Sequence, residues 1–183
     1  MLNTFVVYVE NKPGVLTRVS SLFRRRAFNI DSLTVGRTEK PEVSRMTITV
    51  EADADQARRI EANLYKLVNV LLVENVTHEP IISRDLALIK VSANQATRDQ
   101  VLSLVNVFRA RVLDVAASSI TIEITGNEEK IDRLLELITP FGVLEMVRTG
   151  IVAMRRGITA ATPGPQKIVL EETPVADDES MSV

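Results

Sequence analysis

The stretch Val7-Tyr8-Val9-Glu10-Asn11-Lys12-Pro13-Gly14-Val15-Leu16 decides how this chain folds. Apolar alternation runs into a polar Pro-Gly turn, and apolar residues then recur at Val15, Leu16, Val19, Leu22 and Phe23. That spacing belongs to one face of a helix, so the stretch reads as a strand, a tight loop and a helix N-terminus. The first N–H groups of a helix lack partners, and the positive end of its dipole adds to them, so such an end attracts a carboxylate or phosphate. Gly14 has no Cβ and lets a ligand approach the backbone closely. The stretch alone leaves two readings open: a site for a small anion or amino acid, or an ordinary strand-to-helix turn.

Working outward, Leu2 to Val9 is a strand with Phe5, Val7 and Val9 on one side and Val6 and Tyr8 on the other. A helix follows from Val15 to Ala27, with Arg18, Arg24, Arg25 and Arg26 on its outer face. Phe28-Asn29-Ile30-Asp31-Ser32 turns into a second strand that ends near Gly36-Arg37. After a polar loop holding Pro41, Ser44 to Val50 alternates, with Met46, Ile48 and Val50 inward and Arg45, Thr47 and Thr49 outward. Ala54 to Lys66 is a helix with an N-cap at Asp53 and a stripe at Ala57, Ile60, Leu64 and Leu67. Val68 to Val76 is a fourth strand. The order β-α-β-β-α-β is the split βαβ, or ferredoxin-like, arrangement.

His78-Glu79-Pro80 breaks the pattern, and the order then repeats. Strands are expected at Asp85–Val91, Arg111–Val115, Ser119–Thr125 and Val143–Met154, the last with an irregularity at Gly150. Helices are expected at Thr97–Phe108 and after Gly126-Asn127, the second ended by Pro140-Phe141-Gly142. The halves share element order but little residue identity, so this is a topological repeat. The fold class is therefore α+β, with two consecutive ferredoxin-like domains at 1–79 and 80–157 and a disordered acidic tail at 158–183.

The composition supports a packed core, with 45% hydrophobic and 25% charged residues. Cysteine is absent, which excludes disulfides, thiol nucleophiles and zinc–thiolate sites and fits a reducing compartment. No apolar run is long enough to span a membrane and the start does not resemble a signal peptide, so a cytoplasmic protein is expected. The net charge is −2 overall and −4 from Ile158 onward, leaving +2 on the body. The tail holds Pro163, Pro165 and Pro174 and no periodicity, and its acids read as a solubilising end.

Chemistry of the catalytic kind is sparse. There is one histidine, the carboxylates are scattered over helix surfaces, and neither GxGxxG nor a P-loop occurs. No metal ligand set is expected. Thr47, Thr49, Thr121 and Glu123 read as a solvated sheet face. A ferredoxin-like sheet can bind RNA through aromatics on its central strands, but the strand from Ser44 to Val50 has none, so no nucleic acid partner is expected. A binding or regulatory module remains. Apolar residues on both faces of the first strand argue for burial against a partner.

At this level of detail the chain resembles the small regulatory subunit of acetolactate synthase (acetohydroxyacid synthase). The resemblance rests on Val9 to Leu16, Phe28 to Gly36, Ile131-Asp132, Pro140 to Glu145 and Arg148-Thr149-Gly150-Ile151-Val152-Ala153-Met154. It covers nearly everything from Met1 to Gly157, and the first two stretches are also the pattern of an ACT domain, a module that binds amino acids. The resemblance implies a non-catalytic chain that activates a separate large subunit carrying thiamine diphosphate, magnesium and FAD. It also implies feedback inhibition by a branched-chain amino acid, usually valine, bound between the ACT domains of a homodimer. Asn11, Pro13, Gly14, Val15 and Leu16 of one chain would face Asn29 and Ile30 of the other.

N–H groups after Gly14 suit the effector carboxylate. The Asn11 and Asn29 side chains can accept bonds from its ammonium. Val15, Leu16 and Ile30 can wall an aliphatic pocket. Such a pocket separates neighbours by one methylene only weakly, by about 1–3 kcal/mol, so valine, isoleucine and leucine all stay open. A free-standing amino-acid sensor without a catalytic partner is the alternative.

Overall fold

In a computed structural model of the protein, residues 1–157 are described. The tail expected to be disordered, 158–183, lies outside the described residues. The first unit comprises β1 (Leu2–Glu10), α1 (Val15–Arg25), β2 (Ile30–Arg37), β3 (Val43–Glu51), α2 (Ala54–Leu64) and β4 (Val70–Asn75). Its strands lie in the order β2-β3-β1-β4, every neighbouring pair antiparallel. Alternation puts Phe5, Val7, Val9, Met46, Ile48 and Val50 on the face that meets Val15, Val19 and Phe23 of α1 and Ile60 and Leu64 of α2. The N-cap expected at Asp53 is a full capping box: its carboxylate accepts from the Gln56 N–H at 2.8 Å, and the Gln56 side chain accepts from the Asp53 N–H at 2.9 Å.

The second unit comprises β5 (Ile81–Ser92), α3 (Arg98–Val107), β6 (Arg111–Val115), β7 (Ser119–Gly126), α4 (Glu128–Ile138), β8 (Val143–Arg148) and β9 (Val152–Arg155). A 3-10 turn at Thr139–Phe141 follows α4. The strand order is β6-β7-β5-β8, and Ala87, Ile89, Val91, Ile120, Ile122 and Ile124 form a core with Val101, Val105, Ile131, Leu134 and Ile138.

Two expectations about this unit are corrected. The strand expected from Asp85 begins at Ile81, and the single strand expected from Val143 to Met154 is two strands. β8 pairs with the second half of β5 and β9 with its first four residues, Ile81 to Arg84. The chain turns between them at Gly150, whose φ of +84° is open to glycine at little cost.

A third correction concerns the outer face of the first sheet. Thr47 and Thr49, read as solvated, are 2% and 0% exposed, and Val6 on the same face is 1% exposed. The cover is the C-terminal segment of the same chain. Arg45 donates to the Ala153 carbonyl and Arg155 lies 3.6 Å from Glu74 of β4. Thr34 donates to the Thr149 carbonyl at 3.2 Å. On the second face of β1, Val6 is thus buried within the chain and Tyr8 is half-buried.

Candidate functional site

The loop after β1 is held open at its tip. Asn11 N–H donates to the Glu42 carbonyl at 2.7 Å, and the Asn11 side-chain amide donates to the Pro41 carbonyl at 2.8 Å, so the β2–β3 loop anchors the start of the turn. Beside it, Asn69 of the loop before β4 donates to the Glu10 carboxylate at 2.5 Å. That bond, then the one from Lys12, hold the Glu10 carboxyl below the ordinary carboxylate range against a smaller opposing effect of burial.

Gly14 is the N-cap of α1, with φ +82° and no side-chain cap. A Cβ built on it would meet nothing within 4 Å. Among the described residues the N–H groups of Leu16 and Thr17 donate to no internal acceptor, while Val15 N–H reaches the Lys12 carbonyl at 3.4 Å. Helix α1 carries no acid in its first turn. The result is an uncapped, positively polarised helix end, open to solvent and able to receive a carboxylate.

Of the residues expected at this site, Asn11, Pro13, Gly14 and Leu16 cluster exposed around that end. Val15 differs. Its side chain is buried in the core at 4% exposure, so only its backbone can take part. The Asn11 Oδ1 remains available as an acceptor, because its amide nitrogen is the atom bonded to Pro41.

Asn29 and Ile30 lie elsewhere. Ile30 pairs with Val50, and Val50 pairs with Asn3, whereas Glu10 pairs with Val43 at the opposite end of the sheet. The 11 residues of α1 separate the loop from the turn by about 16 Å. Asn29 is exposed and Ile30 half-buried against the core. Within one chain the two halves of the expected site are apart.

The sequence reading missed an ion-pair cluster of the second unit, on the side that faces the first. Asp85 is 3% exposed, and its carboxylate accepts from Arg148 at 2.7 Å and from the Thr149 hydroxyl at 3.2 Å. Arg148 also donates to Asp132 of α4 at 2.8 Å. Burial acts to lower the Arg148 guanidinium, but the bonds to Asp85 and Asp132 outweigh it and its pKa is raised. This cluster borders a polar cleft of about 350 Å³ that also takes in Asp31, Ser32 and Gly150. The alternation of β5 hides it: Asp85 stands on the core-facing side, two residues before Ala87, where a charge is tolerated because a distant arginine meets it.

Comparison with known proteins matches the model described as AHAS small subunit-like ACT domain to residues 5–72. The model described as small subunit of acetolactate synthase matches residues 84–157. The chain is 48% identical over 155 residues to the acetolactate synthase small subunit of Mycolicibacterium smegmatis, covering 85% of this chain and 91% of that one. It is 48% identical over 157 residues to the probable acetolactate synthase small subunit of Archaeoglobus fulgidus, covering 86% and 98%. The crystal structure of the acetolactate synthase small subunit from Thermotoga maritima superposes with a TM-score of 0.80 at 39% identity, covering 87% of this chain and 99% of that one. By these matches, spanning both ferredoxin-like units, the chain belongs to the acetolactate synthase small subunit family.

Proposed function

We propose that the chain is the regulatory subunit of acetolactate synthase and works in the cytoplasm. In this reading it activates a catalytic large subunit and makes that enzyme sensitive to a branched-chain amino acid, valine first. The large subunit holds the thiamine diphosphate, magnesium and FAD and performs the reaction. The small subunit contributes only binding energy and conformational bias.

The observation that carries this reading is the uncapped helix end at Gly14, with open space before it and an anchored Asn11 beside it. The effector carboxylate would meet the N–H groups of Leu16 and Thr17. Its ammonium would meet the Asn11 Oδ1, and its aliphatic side chain would lie near the half-exposed Leu16.

The separation of the loop from Asn29 supports a site shared between two copies. β2 is an edge strand of its sheet. If β2 pairs antiparallel with the partner's β2 about a two-fold axis, the start of each β2 comes beside the end of the other. Asn29 and Ile30 precede and open β2, while Arg37 closes it at the loop's end of the sheet. The partner's turn would then stand beside this chain's Gly14 loop and complete the pocket.

Replacing Gly14 with Asp tests the assignment. The new carboxylate would stand where the effector carboxylate must bind. Two charges about 4 Å apart at an effective dielectric near 20 repel by roughly 4 kcal/mol, and half of that weakens binding about thirtyfold. The space before Gly14 admits the side chain, and Asp tolerates a positive φ better than most residues. A reconstituted enzyme with Gly14→Asp is therefore expected to be activated normally and to resist valine. Activation together with inhibition at the wild-type valine concentration would place the effector elsewhere.

A further inference from the structure

The helix face of the first unit carries a feature that effector binding does not use. A groove of about 240 Å³ runs between α1 and the end of α2, lined by Leu22 and Leu67 below and by Arg25, Arg26 and Lys66 at the rim. Arg24 adjoins it in sequence. Arg26 donates to the Asn63 side chain at 3.1 Å, which holds one guanidinium across the groove. Among the described residues, none of Arg24, Arg25, Arg26 and Lys66 has a carboxylate within 4 Å. Arginines in the last turn of α1 complement the negative end of that helix. Lys66 follows a different helix and faces the same groove, so the charge there comes from two elements.

We infer that this groove receives the chain's own C-terminal segment Lys167-Ile168-Val169-Leu170-Glu171-Glu172. Three observations select that occupant. First, the charges are complementary: the residues from Ile158 carry −4 and the body +2. Second, the pattern matches. Three consecutive aliphatic residues followed by two carboxylates fit an apolar floor with a basic rim, and the groove has room for aliphatic side chains but not for a folded element.

Third, the segment reaches. Arg155 lies beside Glu74 of the edge strand β4, and α2 packs on that strand, with the Tyr65 hydroxyl donating to the Val73 carbonyl at 3.0 Å. The 11 residues from Gly157 to Ile168 extend to about 36 Å. The path round the β4 edge crosses a sheet and a helix layer, each about 10 Å thick.

The test uses the full chain labelled with nitrogen-15. The amide resonances of Ile168 to Glu172 are expected to differ from those of a synthetic peptide spanning 164–178. They should return to the peptide values in Arg25→Glu/Arg26→Glu and move away again when Glu171→Arg/Glu172→Arg is added. Leu170→Asp, which alters none of the described core or groove residues, should release the segment. Carbodiimide, which joins amines to carboxylates in contact, should link Lys66 to Glu171 or Glu172 of the same chain.

Resonances of the full chain that coincide with the peptide's would overturn the inference and leave the groove to another protein. Displaced resonances that ignore the arginine reversal would put the segment elsewhere. Links found only between isotopically heavy and light chains would make a second copy the occupant.

Discussion

Glu10 closes β1 and accepts from Asn69 at 2.5 Å, with Lys12 at 3.2 Å. Because its folded pKa lies below its unfolded one, its contribution to stability is complete at neutral pH. It is lost as pH falls through the folded value. Glu10→Gln is therefore expected to lower the unfolding free energy at pH 7 by about 1 kcal/mol. Urea titrations at pH 7 and below pH 4 check this, and the gap between variant and wild type should narrow at the lower pH. Gly14 was legible in the sequence, because a Pro-Gly turn between alternation and a helical stripe leaves few backbone choices. The core position of Val15 was not, since a residue that opens a helix can face the ligand or the sheet. The pairing of Asp85 with Arg148 was equally hidden, as 63 residues separate the partners.

Among the elements, the first unit was readable nearly end to end, because its strands alternate and its helices carry one apolar stripe. The helix expected to run to Ala27 stops at Arg25, and the one expected to run to Lys66 stops at Leu64. The division of Val143–Met154 into β8 and β9 was hidden because apolar residues continue through the turn. That turn makes a sharp prediction. A Cβ on Gly150 would lie 3.0 Å from the Ser32 Cβ, in a backbone with positive φ.

Gly150→Ala should therefore cost about 1–3 kcal/mol and loosen β9 from the first sheet. Faster hydrogen exchange at Thr47 and Thr49 would report the loosening, and unchanged exchange would mean that the cover does not depend on the turn. The ion pair beside it behaves as a unit. Arg148→Met should cost about 3–5 kcal/mol, since it leaves the buried Asp85 carboxylate without its cation, whereas Asp85→Asn should cost less, because Arg148 keeps its ion pair with Asp132. The double variant should cost less than their sum. Additive losses in denaturant titrations would show that the two residues act separately.

Over the whole molecule, two ferredoxin-like units are joined by the long β5 and by a C-terminal segment that returns across the first sheet. The burial of Thr47 and Thr49 belongs to this scale. Local alternation assigns a face to each residue, but only the return of residues about a hundred positions later decides whether that face is wet. The same limit applies to the proposed effector site, whose two halves stand at opposite ends of the first sheet within one chain and would meet only in a pair. The central claim is that each site draws its loop from one copy and its turn from the other.

Mixing two defective chains tests that claim most directly. Gly14→Asp spoils the loop, and Asn29→Tyr crowds the turn, so each homodimer should activate the catalytic subunit and ignore valine. In a mixed dimer one site carries both defects, while the other joins an intact Gly14 loop to an intact Asn29 turn. Unfolding and reassociating the two chains together should therefore restore inhibition by valine that neither chain gives alone. Activated enzyme that stays insensitive to valine after reassociation, with mixed dimers demonstrated by mass, would contradict a site shared between copies.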